Sequence, residues 1–161
     1  MDYKIPGGTA IGHVHLKVSD IDRALLFYQD LLGFDVMQRY GANAVFLSAG
    51  GYHHHIGLNT WHSKGAEPAL VKSAGLYHIA ILYPTRKDLA IALKRLIDAK
   101  YPLSGASDHG VSEAIYMNDP DSNGVELYWD RPKEVWPIDE DGNLIMVTDP
   151  LDLESLLQLA K

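Results

Sequence analysis

The side chains best equipped for chemistry in this sequence are histidines, and they stand in recognisable settings: His13 in "GHVHLKV", a run of His53, His54 and His55 in "GGYHHHIGLN", His78 in "LYHIAI" and His109 in "DHGVSEAIY". One carboxylate, Glu126, stands among apolar neighbours in "GVELYW". A neutral imidazole is a metal ligand and also carries protons near neutral pH, and a carboxylate can serve either task. Strand alternation indicates which of these groups meet. Successive side chains on a strand face opposite ways, so if Val14, Leu16 and Val18 share a core face, His13, His15 and Lys17 take the other. By the same rule Ile56 and Leu58, with His54, oppose His55, Gly57 and Asn59; Tyr77, Ile79 and Ile81 oppose His78; and Val125, Leu127 and Trp129 oppose Glu126. His13, His55, His78 and Glu126 are therefore expected to converge on one concavity.

A repeat supplies the elements that would position them. "IGHVHLKVSDIDRALLFYQDLLGFDV" reads as a strand, an N-cap at Ser19 or Asp20, and a helix with apolar Ala24, Leu25, Phe27, Tyr28, Leu31 and Leu32 that stops at Gly33. Sixty-five residues on, "LYHIAILYPTRKDLAIALKRLIDAKYPL" repeats the plan, with a Thr85-x-x-Asp88 capping signal and a helix burying Leu89, Leu93, Leu96 and Ile97. Three short strands follow each helix, near 34–40, 43–49 and 54–59 and again near 101–107, 111–118 and 124–130. The expected architecture is α+β: two tandem βαβββ modules curling a mixed sheet around the concavity, in a single domain spanning 1–161. Module one covers about 9–60, a linker 61–74, module two about 75–131, and a C-terminal extension 132–161, with a turn at Asp141-Gly142-Asn143 and a short amphipathic helix after Pro150.

Composition narrows the partners. With 47% hydrophobic and 22% charged residues, the 161-residue chain has the profile of a folded domain. A net charge of −7 disfavours binding to nucleic acid phosphates and points to a small ligand. Cysteine is absent, which excludes disulfides and thiolate chemistry. The start "MDYKIPGGTA" has no basic-then-apolar segment, and no apolar run reaches membrane-span length. A cytoplasmic location without membrane contact is the expectation.

On these residues the sequence resembles the vicinal oxygen chelate superfamily, and within it the extradiol ring-cleaving dioxygenases of the catechol 2,3-dioxygenase type. "GHVHLKV" resembles the first metal-bearing strand of that family, "LYHIAI" the second, and "NDPDSNGVELYW" the terminal signature whose glutamate is a ligand. The resemblance implies metal ligation by His13, His78 and Glu126. It implies a catalytic, non-ligand role for His55 from "HHHIGLN", and substrate contacts for His109 and Tyr116 from "DHGVSEAIY". Two imidazoles and a carboxylate are the ligand set of the facial-triad iron(II) oxygenases, and the same set accepts manganese(II). The implied substrates are an aromatic diol and dioxygen, with a homodimer compatible.

Plainer readings stand beside these. His15, His53, His54 and His62 are read as surface, helix-side or hydrogen-bonded residues, and Asp119 to Gly124 as a turn on composition alone. Two other activities use the same fold: a glyoxalase-like metal-dependent lyase, isomerase or thiol transferase, and a metal-free binding protein of the bleomycin resistance kind. The first lacks its customary glutamate, since the matching strand offers His55, Gly57 and Asn59. The second has no need of a triad.

Overall fold

The computed structural model describes residues 3–70 and 72–161. The chain falls into two compact units divided between Glu67 and Pro68, inside the segment expected to link the modules.

In the first unit β1 (Val14–Lys17) leads to α1 (Ile21–Leu25), which continues as a π-helical stretch, Leu26–Leu31. Asp20 caps α1, its carboxylate accepting from the Arg23 amide at 2.9 Å. Then come β2 (Asp35–Tyr40), β3 (Ala44–Ser48) and β4 (Ile56–Asn59), in the sheet order β1-β4-β3-β2 with β1 and β4 parallel. Leu16, Val18, Ala24, Leu25, Phe27 and Tyr28 are buried with Val45, Leu47, Ile56 and Leu58. The helix thus closes the apolar face that alternation assigned to these strands, leaving His13, His15 and Lys17 exposed.

The second unit repeats the scheme with β5 (Ile79–Leu82), α2 (Arg86–Asp98), β6 (Gly105–Asp108), β7 (Ser112–Asn118) and β8 (Gly124–Asp130). β5 runs parallel to β8, as β1 does to β4. Thr85 caps α2, its hydroxyl accepting from the Asp88 amide at 3.1 Å and donating to the Asp88 carboxylate at 2.6 Å. Leu89, Leu93 and Leu96 are fully buried, whereas Ile97, in the last turn, is 45% exposed and does not join the core as its spacing suggested. The turn before β8 is closed by Asp119, whose carboxylate accepts from the amides of Asp121 and Asn123 at 2.9 and 2.8 Å.

The extension adds elements that the repeat does not contain, a strand and a helix among them. β9 (Asp149–Pro150) pairs with Asp108 and Ser107 of β6, so the second sheet has five strands in the order β5-β8-β7-β6-β9. α3 (Leu153–Leu157) packs on α2 and carries fully buried Leu156. The fold is therefore α+β, with mixed sheets of four and five strands.

A half-buried ion network centred on buried Glu113 ties β6 and β7 to the segments at the start of α2 and after β8. Glu113, 4% exposed, accepts from Arg86 Nε at 2.7 Å and from Arg131 at 2.9 Å. Arg131 also grips both oxygens of Asp108, at 2.6 and 2.9 Å, and this hydrogen bonding holds the Asp108 carboxyl below its ordinary range. Among the described residues no helix is long and apolar enough to cross a membrane.

Leu156 gives a direct measure of how firmly the extension is docked. Leu156→Ala empties a fully buried site and is expected to lower unfolding free energy by about 2–5 kcal/mol in denaturant titration. A loss within the error of the method would show that α3 contributes nothing to the second unit.

Candidate active site

In the second unit the geometry centres on Glu126. β8 lies between β5 and β7, and pairing places Tyr116 directly across from Glu126 and Ala80 on its other side. Opposed residues share a face of the sheet, and so do residues two apart on a strand. His78, two residues before Ala80, therefore lies on the face of Glu126 and Tyr116, as its alternation predicted. His78 Nε2 is 2.9 Å from Glu126 Oε2, and the Tyr116 hydroxyl donates to Glu126 Oε1 at 3.1 Å. The Tyr116 hydroxyl is in turn 2.6 Å from His109 Nε2. All four residues named for this half are thus joined in one chain of contacts. Burial, reinforced by the charge of Glu126 and the bond to it, pushes the Tyr116 phenol up to about 12, so it stays a neutral donor at physiological pH.

The close approach of the His78 main chain to β8 depends on Gly124, a residue whose sequence context marked only a turn. A methyl built on Gly124 would fall 2.1 Å from the Tyr77 carbonyl oxygen and 3.0 Å from His78 Cβ. The main chains of β8 and the segment leading into β5 approach closely there, and only glycine permits it.

In the first unit the histidines do not all stand where alternation put them. His55 holds the expected register: its carbonyl accepts from the Val14 amide at 3.0 Å and its amide donates to the Leu47 carbonyl at 2.8 Å. Its ring Nδ1 lies 3.1 Å from Ser48 Oγ and accepts from the Ala49 amide at 3.3 Å, while Tyr52 stacks on the ring with centroids 4.8 Å apart. An amide can only donate, so the proton of the neutral ring is on Nε2. His54 departs from expectation. It was placed on the helix side with Ile56 and Leu58, yet its ring lies 4.4 Å from His13 and 5.0 Å from Phe46, with its Nδ1 2.8 Å from that of His53. The physical reason is that β4 begins only at Ile56 and the chain bends at His53 and His55, so the period of two does not extend back to His54. Burial and the neighbouring His13 lower the pKa of His54. His15 stands over Gly57, where an added methyl would come within 2.9 Å of its ring, and is flanked by Phe46 and Trp61. That packing agrees with its plain reading.

The sequence matches the profile of the Glyoxalase/Bleomycin resistance protein/Dioxygenase superfamily over residues 10–127. The chain belongs to that superfamily. It is 42% identical over 152 residues to a protein of Bacillus subtilis (strain 168) named Catechol-2,3-dioxygenase, covering 94% of this chain and 52% of that one. It is 30% identical over 121 residues to Biphenyl-2,3-diol 1,2-dioxygenase 3 of Rhodococcus globerulus, covering 75% and 63%. The chain therefore spans about half the length of one of these relatives and under two thirds of the other. Among solved structures, a glyoxalase/dioxygenase from Nostoc punctiforme superposes with a TM-score of 0.66 at 16% identity, over 82% of this chain and 99% of that one, a likeness of fold. The recognition made from "GHVHLKV", "LYHIAI" and "GVELYW" is thereby borne out at the level of the superfamily.

Within either unit, among the described residues, no three histidine, aspartate or glutamate side chains stand close enough to hold one ion. The pair that fits such a task is His78 with Glu126. Gly124→Ala is expected to cost about 1–3 kcal/mol of stability in chemical unfolding, as overpacking does, and to displace the His78 ring from Glu126. A variant as stable as the parent, with unchanged His78 side-chain NMR signals, would mean that the backbones can part freely.

Proposed function

We propose that the chain catalyses extradiol cleavage of a catechol-type aromatic diol by dioxygen at a non-haem iron(II) centre. The observation that carries this reading is the pairing of His78 Nε2 with Glu126 Oε2 at 2.9 Å on one face of the sheet, beside Tyr116 and His109. The 42% identity to a protein named Catechol-2,3-dioxygenase supports it. The two donor atoms converge from one face of the sheet, and imidazole with carboxylate is a donor set that would hold iron(II) or manganese(II). His78 and Glu126 are assigned as ligands, and the resemblance of "GHVHLKV" supplies His13 as the third. When bound, the ion supplies Lewis acidity toward paired diol oxygens and a route for electrons from the ring to dioxygen.

The chain's own groups then orient the substrate and move protons. Tyr116, a neutral phenol whose hydrogen is held by His109 Nε2, accepts a hydrogen bond from a substrate hydroxyl and so fixes its position. His55, whose ring is fixed by Ser48 and the Ala49 amide, takes a proton from the diol on Nδ1 as that nitrogen releases the amide, and returns it later in the cycle. A second reading gives that proton transfer to His54, because its ring and not that of His55 lies against His13.

Parallel substitutions separate these assignments. His78→Ala should remove most bound iron from the protein, measured by metal analysis after anaerobic loading, since a ligand is lost. His55→Gln should keep its iron and lose turnover by about 10²–10⁴-fold. If His54→Gln shows that loss and His55→Gln does not, the second reading holds. If His78→Ala binds iron like the parent, the ligand assignment is wrong.

A further inference from the structure

The extension past Asp130 does more than cover apolar surface, because several of its contacts end on the loop that carries His109. β9 pairs Asp149 and Pro150 with Asp108 and Ser107, immediately before that loop. The Val147 amide donates to the His109 carbonyl at 3.2 Å, and the Val147 carbonyl faces His109 Nδ1 at 2.7 Å. Pro137 and Val147 also press on Gly110, where an added methyl would come within 3.1 Å of Pro137 Cγ and 3.6 Å of Val147 Cγ2.

These contacts fix more than position. A backbone carbonyl can only accept, so the short contact with Val147 requires a hydrogen on Nδ1 of His109. In the neutral ring that choice leaves Nε2 as an acceptor 2.6 Å from the Tyr116 hydroxyl, whose one hydrogen serves either this nitrogen or the more distant Glu126 Oε1 at 3.1 Å. The backbone of the loop is anchored separately: the Gly110 amide donates to Asp108 at 2.8 Å, and Arg131 grips the same carboxylate. Among the described residues, Val147 is the group hydrogen-bonded to Nδ1 of the ring.

We infer that Val147 is a positioning residue: its main chain sets the tautomer and orientation of His109 so that Nε2 faces the Tyr116 hydroxyl. Its catalytic consequence rests on the dioxygenase reading, whereas the tautomer does not. The element responsible lies outside the duplicated modules, so the extension is part of the site's working machinery.

The test is side-chain ¹⁵N NMR of the histidines in the full chain without added metal, paired with steady-state oxygen consumption of the iron(II)-loaded protein on a catechol. In the parent, His109 should carry its proton on Nδ1. Val147→Pro deletes the amide bonded to the His109 carbonyl and should give a mixture of both tautomers. It should also lower kcat about tenfold, the lesser end of what loss of an orienting partner costs, with KM nearly unchanged. Combined with His109→Gln it should cause no further loss, since both changes act through one ring. Val147→Gly, which keeps both backbone groups but loosens the chain, should move the tautomer signal the same way by less, and it serves where the proline variant does not fold. A parent proton on Nε2, an unchanged signal in the variants, or equal losses of kcat with and without His109 overturns the inference. If the parent consumes no oxygen with any catechol, the dioxygenase reading falls, and the tautomer measurement alone decides the positioning role.

Discussion

Glu126 is a carboxylate on the inner strand of a sheet, 9% exposed and flanked by buried Val125 and Leu127. A charge so placed is costly unless each oxygen has a partner. Both do: Oε2 has His78 and Oε1 has Tyr116. Much of the second unit follows from that requirement. Parallel pairing of β5 with β8 brings in His78, antiparallel register with β7 brings in Tyr116, and Gly124 allows the main chains to approach. The extension then completes the row by holding His109 against Tyr116.

The two units share topology but distribute their chemistry differently. In the second, the candidate groups sit on or beside long strands whose register is fixed over seven residues of β7 and β8. In the first, the histidine run lies in the bent segment just ahead of a four-residue strand. There, ring stacking and single hydrogen bonds set the orientations, as with Tyr52 on His55 and His13 beside His54. Precision of this kind comes from local packing, and the sheet contributes less to it.

What was legible in the sequence follows the same division. The paired βαβββ plan, the cap at Thr85 with Asp20 as one of two candidates for the other, and the shared face of His78 and Glu126 could be read, because each rests on a period or on contacts three residues apart; Tyr116 came only from the resemblance of "DHGVSEAIY". His54 could not, because alternation fails where the backbone bends and nothing in three consecutive histidines marks the bend. The Arg86, Glu113, Arg131 and Asp108 network, the pairing of β9 with β6 and the grip of Val147 on His109 join residues 18 to 43 positions apart. Contacts at such distances leave no local signature. Gly124 was visible only as a turn residue, since the need for its missing side chain appears once β5 and β8 lie side by side.

The central claim is that Glu126 serves an iron(II) centre that cleaves catechols, and one comparison tests it most directly. Parent protein and Glu126→Gln, which keeps the shape but not the charge, would be loaded anaerobically with iron(II), mixed with a catechol and exposed to dioxygen. The parent is expected to consume one equivalent of dioxygen per yellow ring-opened product formed, while the variant loses both bound iron and product. Equal turnover by the two proteins, or a parent that binds iron(II) yet opens no ring across a panel of catechols, would contradict it.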